Sequence, residues 1–401
     1  MSKAIKLVKK KTQNPVDDAR KRIEEWKAQA EKAFPERKAP IRALTLCSIV
    51  RSNLIFFGEP GTAKSMLANS YAKAFGGGSF QLVFTPFTTP DDFLGPKDIT
   101  AYKAGEIKRV TEGMAPKAHV YFMDEGFKST SASLNANLAL INEHVYHEGP
   151  NVYDVPLRVG VLAANEFPDA KDNLDAFESR FLFRFDVPPL NEFQSHCDMM
   201  NKDLPEITAR IHLEDLELLE EEAKKIPLSL DVNKAIWDIG LKLRAEGIKV
   251  HDRTKNKIGD ILRAHALMEG DSEVNTSHLS LLTDMLWKRP EQKPTVNAVV
   301  KMFCSPWVKD MKAAEAIVDR AKTDLENVIS SNQNTEAACE ELGAICMRLK
   351  KLTTDASDGK HSLLTKLSLV DSTTVKRQVK DLHIRAETIR TGAKKQLAFF
   401  L

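Results

Sequence analysis

The sequence predicts an α/β fold, a parallel sheet covered by helices, followed by a small helical region and then a helical bundle or coiled coil. Three observations carry that prediction. Short apolar runs at Asn53–Phe57, Phe80–Phe84, Val120–Met123, Arg158–Ala163 and Phe181–Phe185 alternate with helical stretches, the pattern of strands buried on both faces. A glycine-containing segment, Gly58 to Ser65, joins the first run to a helix. After Pro188-Pro189 no strand signal recurs.

Residues 15–50 read as helix, with breaks at Pro35 and Pro40. Between the strands, Leu134, Leu138, Ile141 and Val145 fall on one helical face. Beyond residue 190, Ile236, Ile239 and Leu243 line one helix, Ile258, Ile261, Leu262 and His265 a second, and Leu279, Leu282 and Leu286 a third. The acidic run Glu217 and Glu220–Glu222 reads as a solvated helix face. Past the Pro290–Pro294 break, three series step by three and four residues: Met311, Ala314, Val318, Ala321, Leu325, Val328; then Ala338, Leu342, Ile345, Leu349, Leu352; then Val375, Val379, Leu382, Ala386, Ile389, Ala393. Seams that narrow suit an antiparallel bundle or coiled coil, with Thr353–His361 as the clearest loop. The chain therefore divides into a basic tail and helix (1–33), an α/β domain (34–189), a small helical domain (190–290) and a C-terminal helical region (291–401).

A length of 401 residues, with 42% hydrophobic and 28% charged, suits several ordinary globular domains. The formal charge of +2 creates no field that calls for nucleic acid or a membrane. Charge is local instead: residues 1–40 hold twelve Lys/Arg against six Asp/Glu, and Met1–Lys11 has five lysines and no acid. The simplest reading is a solvated tail, with contact to an acidic partner or nucleic acid as the alternative. Five cysteines without a C-x-x-C pair signal neither a zinc site nor a disulfide framework, and fit reduced thiols in the cytosol. No apolar run reaches the length of a membrane span, and the N-terminus lacks the apolar core of a secretion signal. A cytoplasmic location is expected.

Gly58-Glu59-Pro60-Gly61-Thr62-Ala63-Lys64-Ser65 lies between an apolar strand and a helix, the context a phosphate-binding loop needs. Glycines let successive N–H groups turn inward toward phosphate oxygens, and the helix N-terminus adds partial positive charge. Lys64 supplies a full charge for the β- and γ-phosphates of ATP, and Ser65 a hydroxyl for Mg2+. Ala63 departs from the general pattern, which has glycine before the lysine. Val120-Tyr121-Phe122-Met123-Asp124-Glu125 ends an apolar strand in two carboxylates. Asp124 would hold the metal shell and Glu125 would orient and deprotonate the attacking water. Asn165 closes the next strand and can reach the γ-phosphate or that water, although an Asn at a strand end is also a turn former. Arg180, just before the last strand, reads either as an ordinary surface arginine or as an arginine finger for a neighbouring subunit.

The order of these motifs resembles the MoxR branch of AAA+ ATPases, and within it the RavA-like members. GEPGTAKS, with Ala before the lysine, is similar to that branch's own loop. The stretch from Phe87 to Pro96, then MDEGFKS, INEHVYHEG, LAANEFPDA and LDAFESRF, follow in the family's order. Val250-His251-Asp252-Arg253 resembles the sensor-2 motif of a helical lid, which implicates Arg253 as a nucleotide contact. The likeness covers residues 34–290. It implies a sheet ordered 5-1-4-3-2, a lid, usually a hexameric ring, an inserted element around residues 86–116, and a hairpin near residues 142–160. Nucleotide would lie between subunits, with Arg180 acting on the neighbour's ATP, and a von Willebrand factor A protein is the typical partner. Two departures stand out: Ser179 replaces the common Asp, and Gly126-Phe127-Lys128 replaces Ile-Asn-Arg or Ile-Trp-Lys, which leaves the role of Lys128 open.

The resemblance implies an ATP-driven protein remodeller with a chaperone-like role. A nucleic-acid motor or loader is the first alternative, motivated by the basic tail, but no dedicated DNA-binding motif accompanies it. The second is an ATP-switched assembly protein that docks through its C-terminal helices. His144, His147 and Glu143 suggest a metal, but three candidate ligands around a predicted solvent-facing turn make a weak site. Cys339 and Cys346 share a helical face as packing residues, and Trp287 and Trp307 read as core.

Overall fold

Every position of strand β1 (Ser52–Phe57) is buried, because it is hydrogen-bonded to a strand on each side and covered on both faces. Its neighbours are β6 (Val159–Ala164) and β7 (Phe181–Asp186), and β6 pairs in turn with β3 (Val120–Asp124), which pairs with β2 (Ser79–Val83). All four pairings are parallel and the order is β2-β3-β6-β1-β7. Strands β4 (Val145–Glu148) and β5 (Asn151–Asp154) form a separate antiparallel hairpin. With the hairpin set aside and the sheet strands counted in chain order, the sheet reads 5-1-4-3-2 from its β7 edge. The β2 run differs from a buried strand. It sits on the sheet edge, paired on one side only, and alternates between half-buried and exposed positions.

This computed structural model describes residues 14–76, 78–148, 151–167, 175–201, 204–304, 306–331, 336–354, 362, 364 and 373–400. The chain separates into two units, Met1–Val300 and Lys301–Leu401. The lysine-rich segment Met1–Lys11 and most of the Thr353–His361 loop fall outside the described residues, as do the side chains of Trp307, Met311 and Val375.

In the first unit, helix α1 (Pro15–Ala33) starts at Asn14, whose side chain accepts from the Val16 N–H, and buries Ile23, Trp26 and Ala30. The Trp26 ring meets Tyr71 edge-on at 4.9 Å. Helix α2 (Lys38–Ile49) contains Pro40 in its first turn. Pro40 is therefore no break, because the first-turn N–H groups of a helix have no intrahelical acceptor to lose. Helix α3 (Lys64–Phe75) follows β1, and the short helices α4 (Asp91–Leu94) and α5 (Ile99–Lys103) lie in the 86–116 segment. That segment is tied together by Arg109, which reaches Asp91 at 2.5 Å and the Gly95 carbonyl at 2.6 Å.

Helix α6 (Ser131–Leu138) continues as a π turn over Ala139–Glu143 and ends at His144, whose φ of 54° breaks the helix. Val145 belongs to β4 and not to the helical face that its spacing suggests. Glu143 and His147 are exposed, as expected of a solvent-facing turn, whereas His144 between them is partly buried.

Helices α7 (Asp175–Glu178) and α8 (Phe193–Asn201) flank β7 and lead to the helical region: α9 (Leu213–Lys225), α10 (Leu230–Ala245), α11 (Asp252–Glu269), a 3-10 segment at Thr276–Asp284, and α12 (Lys293–Cys304). Ser229 caps α10, and Gly270, at φ 87°, stops α11. The acidic face of α9 is only partly solvated. Buried Arg158, just before β6, is paired with Glu217 at 3.1 Å and Glu220 at 2.6 Å. Sequence alone cannot see that arginine sixty residues away. Trp287 is fully buried.

The second unit is built on Pro306–Ser331, Glu336–Thr353 and Thr373–Phe400, and each helix touches the other two. Its core is the heptad-like set Ala314 to Val328, Ala338 to Leu352 and Val379 to Ala393, with Leu364 added. Cys346 packs against that core and Cys339 is half-buried.

Candidate functional site

The strand register brings three chain segments to one end of the sheet. Phe57 of β1 lies opposite Ala164 of β6, and Asp124 of β3 lies opposite Ala163. The residues that follow (the Gly58 loop, Glu125 and Asn165) therefore emerge side by side. Gly58 has φ 144° and a Cβ there would strike the Val187 carbonyl oxygen, so only glycine fits. Gly61, at φ 87°, turns the loop again. Ala63 sits at φ 68°, ψ 18°, immediately before α3. This left-handed geometry costs a non-glycine residue about 1–2 kcal/mol, and such strain concentrates at ligand-holding loops. Glu59, Pro60 and Gly61 are exposed, whereas Thr62 is buried and its hydroxyl donates to the Glu59 carbonyl at 3.0 Å.

Lys64 is only 6% exposed. Its Nζ donates to the carbonyls of Gly58 at 2.6 Å and Glu59 at 2.8 Å, and to Asn165 Oδ1 at 3.3 Å. Burial pulls its pKa down while Asp124 and Glu125 push it up, and the net direction is down. The lysine is thus a desolvated cation on the loop's inner side, where a phosphate would be worth more to it than in water.

Ser65 Oγ donates to Asp124 Oδ2 at 3.2 Å. A hydroxyl beside a carboxylate is a pair of hard oxygen donors, which fits Mg2+ held jointly by protein, water and substrate phosphate. Among the described residues no group of three or more His, Cys, Asp or Glu forms a metal cage.

Glu125 has φ 53°, a second strained non-glycine residue. Its Oε1 accepts from Asn165 Nδ2, and its Oε2 is 3.2 Å from Lys128 Nζ. Lys64, Asn165, Glu125 and Lys128 thus form one chain of polar contacts. Gly126 allows this turn to press on β6, since a Cβ would come within 2.7 Å of Leu162 Cδ1. Phe127 stacks on Phe57 at 6.0 Å. The Gly126-Phe127-Lys128 variation therefore packs the turn against β1 and gives Glu125 a cationic partner.

Arg180 and Arg253 are not brought to this end. Arg180 precedes β7 at the level of Asn53, so it sits about 15–20 Å away, at the other end of the strands. Arg253, in the first turn of α11, lines the same cleft as Arg180, together with Arg51, Asn142 and Lys257. Burial lowers the Arg180 pKa first, the Arg253 charge lowers it further, and Glu143 opposes both. Lys128 and Lys257 are the residues that motif reasoning leaves unassigned. Lys257 is legible only as the i+4 neighbour of Arg253 on one helix face.

A family model for the MoxR domain in the MoxR-vWA-beta-propeller ternary systems matches residues 21–210, and an AAA lid domain model matches residues 231–300. Uncharacterized protein MJ0812 of Methanocaldococcus jannaschii is 31% identical over 67% of the chain and 72% of its own length. A second protein of that organism, MJ0079, is 27% identical over 84% of the chain and 90% of its own length. Chaperone MoxR1 of Mycobacterium tuberculosis is 25% identical over 43% of the chain and 46% of its own. A crystal structure of a candidate ATPase from Cytophaga hutchinsonii superposes with a TM-score of 0.58 at 18% identity, over 72% of this chain and 96% of that one. At that identity the likeness speaks for the fold alone.

Proposed function

Because the chain belongs to the MoxR family of AAA+ ATPases, we propose that it hydrolyses ATP and transmits the resulting motion to a bound protein. The observation that carries this is the convergence of Lys64, Ser65, Asp124, Glu125 and Asn165 at one end of the sheet. In this reading the 58–63 loop cradles the β- and γ-phosphates and Lys64 exchanges its carbonyl partners for phosphate oxygens. Ser65 and Asp124 hold Mg2+, which when bound offsets phosphate charge. Asn165 orients Glu125, whose carboxylate takes the proton of the attacking water while that water's oxygen bonds to the γ-phosphorus and ADP leaves.

The cleft with Arg180 and Arg253 faces away from its own loop, which favours contact with the nucleotide of a second copy, in a ring that the family resemblance makes hexameric. The proposed organisation is an AAA+ domain over 34–189, a lid over 190–290 and a C-terminal helical region over 291–401. The matched family model is described from systems that contain a vWA protein, so a vWA protein is the partner proposed here. The chaperone-like role draws on the name of the Mycobacterium tuberculosis relative. Among the described residues no helix is long and apolar enough to cross a membrane.

Glu125→Gln tests the chemistry. ATP binding should persist while turnover falls about 10²–10⁴-fold, the worth of a general base. Undiminished hydrolysis by that variant would remove Glu125 from the reaction.

A further inference from the structure

The cleft between the start of β1, the segment before β7 and the first turns of α11 is lined by four cations, Arg51, Arg180, Arg253 and Lys257, and among the described residues by no carboxylate. Arg51 is turned onto backbone, donating to the carbonyls of Val155 at 2.9 Å and Leu157 at 3.2 Å, and the acids that act on it, Glu220, Asp154 and Glu217, are not among the cleft's lining residues. Arg253 and Lys257 are four residues apart on α11, which puts two like charges on one helix face at a cost to the helix. Glu143 is the acid that acts on Arg180 from the neighbouring turn, and it is exposed. Lys257 also borders an adjoining cavity with Asp260 and Glu220, but Asp260 pairs with Arg263 at 3.6 Å, and Glu220 with Arg158 and Lys224. Among the described residues no ion pair joins Lys257 to an acid.

Lys257 is half-buried and shares this cleft with Arg180 and the exposed Arg253, so an anion that reaches the two arginines also meets the Lys257 charge. We infer that Lys257 is a third cation of the site between copies, beside Arg180 and Arg253, and that it contacts the terminal phosphates of the ATP held by the next copy. The inference rests on the proposed intersubunit site and adds a specific positioning residue to it. Lys257 moves no proton: its ammonium donates hydrogen bonds to phosphate oxygens as charge builds on them.

The test uses the full chain and mixtures of variants. Lys257→Met alone should lower kcat about tenfold to hundredfold, the worth of a hydrogen bond to a charged group, with ATP affinity at the loop little changed. Lys257→Arg should recover most of that loss, which a packing defect would not allow. Lys64→Ala subunits cannot grip their own nucleotide but still present Lys257 to a neighbour. Mixed with Lys257→Met subunits, they should raise the rate above the weighted sum of the two alone. A mixture no better than that sum overturns the role of Lys257. A parallel mixture of Lys64→Ala with Arg180→Ala separates the two ideas: gain there without gain for Lys257 sinks the present inference alone, and no gain in either sinks the intersubunit reading with it.

Discussion

The two ends of the central sheet handle charge in opposite ways. At the end where the strands finish, cations and anions of one copy are cross-linked: Lys64 to Asn165, Asn165 to Glu125, Glu125 to Lys128, and Ser65 to Asp124. At the end where they begin, Arg51, Arg180, Arg253 and Lys257 share a cleft that has no lining carboxylate among the described residues. One end is a nearly self-satisfied site, and the other gathers positive charge in a cleft whose acids, such as Glu143 and Glu220, stand outside its lining. In the proposed reading these are the halves of one composite site, which would come together only when the first face of one copy meets the second face of another.

The largest way to break this contrast without touching the phosphate loop lies at Glu178, just before Ser179 and Arg180. Its buried carboxylate is gripped by Arg289 at 3.2 and 3.3 Å, and its carbonyl accepts from the buried Arg184 at 2.8 Å. The Arg184 pKa is pushed down to about 10 by burial, against the pull of Glu178. Arg289→Ala should cost about 3–5 kcal/mol in chemical denaturation, because it strands a buried charge. In the folded fraction it should lower turnover while leaving ATP affinity in place. Weakened ATP binding with normal turnover would show that the two ends are not separable in this way.

His144 offers a smaller test, confined to the cation end. Its pKa is held down to about 4 by burial first, then by Arg51 and Lys257. Between the ordinary value near 6.5 and about 4 the unfolded chain takes up this proton and the folded chain does not. Stability should therefore fall as pH drops through that window, by up to about 2 kcal/mol once partial exposure is allowed for. His144→Asn, which tolerates the left-handed backbone there, should flatten the denaturation midpoint between pH 6.5 and 4. An unchanged pH slope would mean that His144 is not buried among those charges.

The smallest effect belongs to the phosphate end. Ala63→Gly relieves left-handed strain but adds unfolded-state freedom, so the two terms nearly cancel, and stability should move by less than about 1 kcal/mol. ATP turnover should survive. A large loss of either would show that the Ala63 methyl has a role beyond filling the loop.

How much of this was readable beforehand follows from the physics of each element. The strands β1, β3, β6 and β7 are legible because burial on both faces leaves no polar alternation, whereas the edge position of β2 is a property of pairing that no local pattern records. Lys64, Ser65, Asp124, Glu125 and Asn165 are legible as a candidate site because they stand just past strand ends in the pattern that phosphate and metal chemistry would need. Arg180's place at the opposite end from Lys64 follows from its position just before a parallel strand, but its gathering with Arg253 depends on how α11 packs, which spacing does not encode. Glu217 and Glu220 look solvated because their partner, Arg158, is far off in sequence. Lys128 and Lys257 are hidden for a simpler reason: lysines on turns and helices are common, and only their neighbours make these two unusual.

The most direct measurement of the central claim is ATP turnover in a titration of Lys64→Ala chains against Arg180→Ala chains at constant total protein. Each variant alone should be nearly inactive, since an arginine finger is worth about 10³–10⁵-fold in GTPases. Activity should rise to a maximum at intermediate mixing, where intact loops face intact fingers. A flat baseline across the whole titration, with both variants folded and assembled, would contradict a site shared between copies.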